Sequence, residues 1–135
     1  MRIVFGTDER TALADAIVEH LAKGGHEVAT VASGQRWAEV GRAVGEAVAA
    51  GQADRGVVCC WTGTGVSMAA NKVEGVRAAL CIDAETARGA RRWNDANVLA
   101  IGLRLTSPDV ARELLDAFLG AVPDGSEDDQ IALLG

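Results

Sequence analysis

The sequence predicts an α/β fold, with five parallel strands in one sheet and helices packed on both faces to make three layers. Three observations carry that expectation. Short apolar runs alternate with helix-patterned runs five times, and strand–helix–strand crossovers of this kind enforce parallel pairing. The run Val57-Val58-Cys59-Cys60 is apolar throughout, as a strand covered on both faces is; it breaks at Thr62-Gly63-Thr64-Gly65 and resumes with helix-compatible Val66-Ser67-Met68-Ala69-Ala70. No internal repeat, linker or low-complexity segment divides the chain, so residues 1–135 are expected to form one domain.

Arg2–Phe5 reads as the first strand, closed by Gly6-Thr7-Asp8. A helix from about Thr11 to Lys23 follows, with Leu13, Ile17, Val18 and Leu21 at helical spacing and Gly24-Gly25 as its stop. Glu27–Ala32 is the second strand, and a second helix runs from about Arg36 to Ala50, ended by Gly51. The strand ending at Cys60 comes third, with a short helix from Val66 after it. Val76–Ile82 is the fourth strand, and Asp83 caps a helix through about Trp93. Asn97–Leu103 is the fifth strand. Ser107 caps the last long helix, Pro108–Leu119, where proline suits the first turn. The tail, residues 123–135, is acidic through Asp124, Glu127, Asp128 and Asp129 and closes on apolar Ile131–Leu134, which could dock on a partner subunit.

Composition narrows the function classes. Hydrophobic residues are 49% of the chain and no run approaches the roughly 20 apolar residues of a membrane span. No cationic-then-apolar leader opens the sequence, so the expected location is cytoplasmic, with no membrane partner. A net charge of −6 without any Lys/Arg cluster argues against nucleic acid. Three cysteines without a secretion signal point to free thiols, and neither Cys-x-x-Cys nor clustered histidine supports a metal site.

The chemistry concentrates between Arg55 and Lys72. A strand, a glycine turn and a helix start present backbone N–H groups to an anion, and Gly63 and Gly65 permit a close approach that a Cβ would block. Cys60 stands at the carboxyl end of the strand, where open parallel sheets place ligands. Cys59 and Cys60 are adjacent, so their side chains diverge to opposite faces, which weakens a redox-pair reading. Cys60 read alone is equally a buried small hydrophobe, the Gly63/Gly65 loop a tight turn, and Asn94, Asp95 and Asn97 a helix-end cap.

Taken together, Ala53-Asp54-Arg55-Gly56, Thr62–Lys72, Gly75–Cys81 and Asn94–Ala100 resemble ribose-5-phosphate isomerase B and the related galactose-6-phosphate isomerase subunits. The resemblance implies a Rossmann-like αβα sandwich that forms homodimers with shared active sites, or tetramers of paired dimers. It implies interconversion of aldose and ketose phosphates through an enediolate without metal or other cofactor. Cys60 stands at the position of the base that moves the proton between carbons. A thiol facing a helix N-terminus is expected to favour the thiolate. The N–H groups from Gly63 through Thr64, Gly65 and Val66 to Ser67 would meet the enediolate charge. Thr62, Asp8 and Asn94 match positions that contact substrate hydroxyls or reacting oxygens, and Arg104 matches a phosphate-holding arginine.

The chain also departs from that pattern. Glu9 stands where a histidine follows the aspartate. Trp93 replaces the histidine that opens the sugar ring, and an indole donates a hydrogen bond but shuttles no proton. Trp61 replaces a glycine, Trp37 falls where an Asp-Tyr-Pro segment is usual, and the tail carries none of the family's phosphate-site histidine and arginines. All three tryptophans fall at or beside family active-site positions and would line the site with flat apolar surface; the alternative is core or dimer-interface filler, Trp37 foremost. The only histidines, His20 and His26, read as surface residues. The expected partner is a small sugar or sugar phosphate, acyclic or lacking the usual phosphate grip. The alternative is a catalytically impaired binding or regulatory subunit of a sugar-phosphate isomerase complex.

Overall fold

The structure, a computed structural model, describes all residues from Met1 to Gly135. Five strands form one parallel sheet: β1 (Arg2–Thr7), β2 (Glu27–Ser33), β3 (Arg55–Cys60), β4 (Ala78–Leu80) and β5 (Val98–Gly102). Six helices accompany them: α1 (Ala12–Lys23), α2 (Trp37–Ala49), α3 (Thr64–Asn71), α4 (Ala84–Asn94), α5 (Pro108–Gly120) and α6 (Asp128–Ala132). No helix is long and apolar enough to cross a membrane.

The strands lie in the order β2-β1-β3-β5-β4. Alternation along each strand divides the core in two. Ile3, Phe5, Val57, Cys59, Leu99 and Ile101 pack with α1, α4 and α5, through Ile17, Leu21, Ala87, Leu114 and Phe118. Val4, Val58, Cys60, Val98 and Ala100 pack on the other face with α2 and α3, through Val40, Val44, Val66 and Ala70. β5, Val98–Gly102, is buried at every position, and β1 and β3 are buried at every position after their opening arginines, Arg2 and Arg55.

Two registers define the sheet's carboxyl edge. Thr7 pairs with Cys59, and Cys60 pairs with Gly102, so Asp8, Trp61 and Leu103 emerge side by side. The chain runs from β1 to β2 on one side and then returns to β3 on the other, which opens a crevice between β1 and β3 at this edge. Helix α4 leaves the carboxyl edge after β4 and returns to the amino edge before β5.

The expected elements appear in the expected order, with two differences. The fourth strand is three residues instead of seven, and neighbouring side chains bond the backbone at its start. Asn71 accepts from the Ala78 N–H at 2.8 Å and donates to the Ala78 carbonyl at 2.9 Å, and Asn97 accepts from the Arg77 N–H at 2.8 Å. The acidic tail carries a short helix, α6, that no periodicity announced; it is tethered where Asp124 accepts from the Arg92 Nε at 2.9 Å.

Candidate active site

Cys60, the last residue of β3, turns its thiol toward the α2/α3 face and is 5% exposed. Cys59 points the other way into a closed core, and burial pushes its thiol far above the ordinary range. Cys81 is pushed up to about 11, chiefly by burial and then by Asp83. Of the three free thiols, Cys60 is the one at the strand's open end.

The turn after Cys60 is built by close packing. Gly63 adopts φ 78°, and a Cβ there would lie 2.5 Å from Leu80 Cδ1 and 2.9 Å from the Gly102 nitrogen. Only glycine satisfies both the backbone angle and the space. The exit of β5 clamps the same turn, since Leu103 N–H donates to the Cys60 carbonyl and Arg104 N–H to the Trp61 carbonyl, each at 2.9 Å. Helix α3 starts at Thr64 with no side-chain cap, so its first N–H groups have no acceptor within the helix. Thr64, Gly65 and Val66 supply these donors, while the Ser67 N–H closes back on the Gly63 carbonyl at 3.3 Å. The Val66 side chain itself is core. Thr62 and Thr64 hydroxyls hydrogen-bond at 2.8 Å on the solvent side. The result is a short row of backbone donors beside a thiol, suited to developing negative charge.

Asp8 closes the neighbouring side. Its N–H donates to the Cys59 carbonyl at 3.1 Å, which fixes it across from Cys60. One carboxylate oxygen, Oδ1, is buried with no hydrogen-bond partner. Burial, and then the Glu9 charge, raises its pKa above the usual carboxylate value. An unpartnered buried acceptor is costly unless a donor arrives, and a substrate hydroxyl is such a donor. Glu9 and Arg104 are exposed at the same edge, and Arg104 has no carboxylate within ion-pair distance.

Trp37 lies beside this turn and not in the core. Its indole lies over the first turn of α3, where a Cβ on Gly65 would come within 2.8 Å of the ring. It is 47% exposed, so it walls the donor row instead of filling the core. The signal available in the sequence was a tryptophan opening a helix at an otherwise polar start.

Trp93 and Asn94 lie elsewhere. They end α4 at the amino edge of the sheet, about 17 Å from the carboxyl edge for five strand residues at roughly 3.3 Å each. One chain therefore brings together Cys60, Trp61, Thr62, the Gly63–Ser67 turn, Asp8 and Arg104, and leaves Trp93 and Asn94 apart. No three metal-ligating side chains cluster anywhere. His20 contacts Asp116 and His26 contacts the N-terminal amine, both away from this edge.

Comparison with known proteins points in one direction. Residues 3–132 match the model of the family described as Ribose/Galactose Isomerase. The chain is similar to ribose-5-phosphate isomerase B of Escherichia coli, 39% identical over 134 residues, covering 96% of this chain and 90% of that protein. It is similar to D-erythrulose-4-phosphate isomerase of Pectobacterium atrosepticum, 40% identical over 87 residues, 64% of this chain and 57% of that one. The matched stretch spans little more than half the length of several such relatives. Ribose-5-phosphate isomerase B of Clostridium thermocellum superposes with a TM-score of 0.96 at 38% identity, over 100% of this chain and 95% of that one.

Proposed function

Because the chain belongs to the ribose/galactose isomerase family, we propose that it interconverts the aldose and ketose forms of a short sugar phosphate, with Cys60 as the base. The observation that carries this reading is the placement of Cys60 at the open end of β3, beside the uncapped first turn of α3. The Cys60 thiolate takes the proton from the carbon beside the carbonyl and returns it to the adjacent carbon. Between those steps the enediolate oxygens rest on the Thr64, Gly65 and Val66 N–H groups. Thr62 hydrogen-bonds the reacting oxygens, Asp8 accepts from a substrate hydroxyl, and the free guanidinium of Arg104 takes the phosphate. All of these groups are side chains or backbone of the protein, so the reaction requires no added cofactor.

The substrate is best matched by an acyclic sugar. An indole at position 93 cannot move the proton that ring opening needs. A four-carbon sugar phosphorylated at its terminal oxygen has no hydroxyl left to close a five-membered ring, so nothing has to be opened. D-Erythrulose 4-phosphate, named in two relatives, is of this kind.

Two copies share each site in this reading. The carboxyl edge of one, rimmed by exposed Trp37, Trp61, Ile82 and Leu105, receives Trp93 and Asn94 from the amino edge of the other. The decisive experiment is proton NMR in deuterated water with tetrose, pentose and hexose phosphates and their unphosphorylated forms. Exchange beside the carbonyl is expected with a tetrose phosphate and is expected to fall by about 10²–10⁴-fold in Cys60→Ala. Unchanged exchange in that variant would remove Cys60 as base. No exchange with any sugar would favour a binding subunit that lacks turnover.

A further inference from the structure

The amino edge holds one residue whose geometry is more elaborate than a helix stop requires. Asp95, directly after Asn94, is the only non-glycine residue with positive φ, at φ 47° and ψ 43°. Its carboxylate is gripped from two sides: Arg91 Nη1 donates to Oδ1 at 2.9 Å and Arg77 Nη2 to Oδ2 at 3.1 Å. The same two arginines also hold the backbone. Arg77 Nε donates to the Asp95 carbonyl and Arg91 Nη1 to the Ala96 carbonyl, each at 2.7 Å. Asn97 completes the frame, accepting from the Arg77 N–H at 2.8 Å and donating to the Gly75 carbonyl at 2.9 Å. Arg91 is 2% exposed, a fully buried guanidinium with its Nε unpartnered.

A plain helix end needs none of this. Glycine or asparagine ends helices in the left-handed conformation without any ion pair, and burying an arginine to brace an aspartate carries a desolvation cost. What the brace determines is the direction in which the last turn of α4 points, and that turn presents the exposed pair Trp93 and Asn94.

We propose that Asp95, held between Arg77 and Arg91, is a positioning residue that aims Asn94 and Trp93 into the active site of a second subunit. The inference rests on the shared-site reading above. Asp95 touches no substrate; it acts through the residue before it, and its effect falls on the neighbour's Cys60 and not on its own.

That asymmetry gives the test. Asp95→Gly keeps the left-handed backbone available and removes the brace, and kcat for carbonyl-adjacent exchange is expected to fall about 100-fold, the scale of an approximately 1 Å misplacement. Co-expression of Asp95→Gly with Cys60→Ala, each carrying a different tag, yields hybrid dimers with one site whose Cys60 and Asn94 neighbourhoods are both intact. A statistical mixture is expected to regain about a quarter of wild-type activity, because half the dimers are hybrid and one of two sites in each is whole. A merely structural defect would not complement in this way, so failure to complement, or wild-type exchange in Asp95→Gly, overturns the proposal. Asn94→Ala with Cys60→Ala is the control. If that pair fails to complement while Asp95→Gly does no better, the shared-site reading falls; if only Asp95→Gly fails, the positioning role falls alone. A readout independent of turnover is the Trp93 indole and Asn94 amide resonances, which are expected to shift and broaden in Asp95→Gly. Wild-type positions and widths there would also overturn it.

Discussion

The two edges of this sheet are built on opposite terms. At the carboxyl edge polar groups are left without partners: the first N–H groups of α3, Asp8 Oδ1 and the Arg104 guanidinium. At the amino edge nearly every polar group of the 95–97 loop is engaged, by Arg77, Arg91 and the Asn97 amide. Unpaired donors and acceptors are what a reacting molecule can use, and a fully bonded loop is what can present a side chain at a fixed angle. In the shared-site reading proposed above, one fold would hold both halves of a composite site. The carboxyl edge gives up stability for open valences, and the amino edge uses its hydrogen bonds for rigidity.

The same methyl group placed at each edge tests this contrast. Gly63 and Gly75 both have positive φ, 78° and 89°. At Gly75 the nearest atom to a Cβ is Ala49 Cβ at 4.0 Å, whereas at Gly63 it would meet Leu80 at 2.5 Å. Gly75→Ala is expected to cost only the backbone term, of the order of 1 kcal/mol in thermal unfolding, with exchange activity kept. Gly63→Ala adds a clash with the β5 backbone, and is expected to lower stability by about 2–4 kcal/mol and to remove exchange activity by displacing the donor row. Equal losses at the two positions would show that the Gly63 turn has slack.

The order of elements was legible in the sequence, and so was the divergence of Cys59 and Cys60, because alternation along a strand is a local property. The order of strands was not. Right-handed crossovers allow the fourth strand to lie inside or outside the fifth, and only packing of α4 beside α5 decides. The side-chain bonds at the start of β4 were hidden for a related reason: Asn71 and Asn97, both within the stretches that carry the family resemblance, spend their amides on the backbone of Arg77, Ala78 and Gly75. The contact that seats Trp37 was not legible, because its neighbour across the turn, Gly65, is 28 positions away in sequence and supplies only an absence of side chain. Trp93 and Asn94 were matched to a pattern, and the parallel order itself puts them at the amino edge, because a crossover helix leaves the carboxyl ends of the strands and returns to the amino ends.

A smaller effect is electrostatic. Asp8 has a folded-state pKa above its unfolded value, so its ionisation opposes folding, and stability falls as pH rises from the unfolded value through the folded one. Asp8→Asn is therefore expected to raise Tm at pH 7, with the gain shrinking as pH falls toward 4. The same variant is expected to lose exchange activity, since the amide offers a weaker acceptor. A lowered Tm at pH 7 would mean that Asp8 has a partner in the folded protein.

The smallest expected effect lies in the tail. Asp124 is held down at about 2 by the Ser126 hydroxyl and N–H and then by Arg92. Its folded pKa is below the unfolded one, so its contribution is present above about pH 4 and is lost as pH falls through about 2. Asp124→Asn is expected to increase amide hydrogen exchange across residues 124–132 at neutral pH while leaving Tm within about 1 °C, as exposed ion pairs contribute little. Protection unchanged in that segment would show that α6 is held by packing alone.

The placement of the tryptophans has a practical consequence for optical work. The chain contains no tyrosine, and its three indoles are 47%, 53% and 46% exposed at Trp37, Trp61 and Trp93, two at one edge of the sheet and one at the other. None sits in either core. Emission at long wavelength therefore reports the two edges and is nearly blind to the packing between them. A denaturation followed by fluorescence tracks loosening of the rims, while circular dichroism tracks the helices. Coincident curves would show that the rims loosen only with the global transition, and non-coincident curves that they loosen as a separate step. The same arrangement makes Trp37 and Trp61 a built-in gauge of occupancy at the carboxyl edge, where quenching can be read without any attached dye.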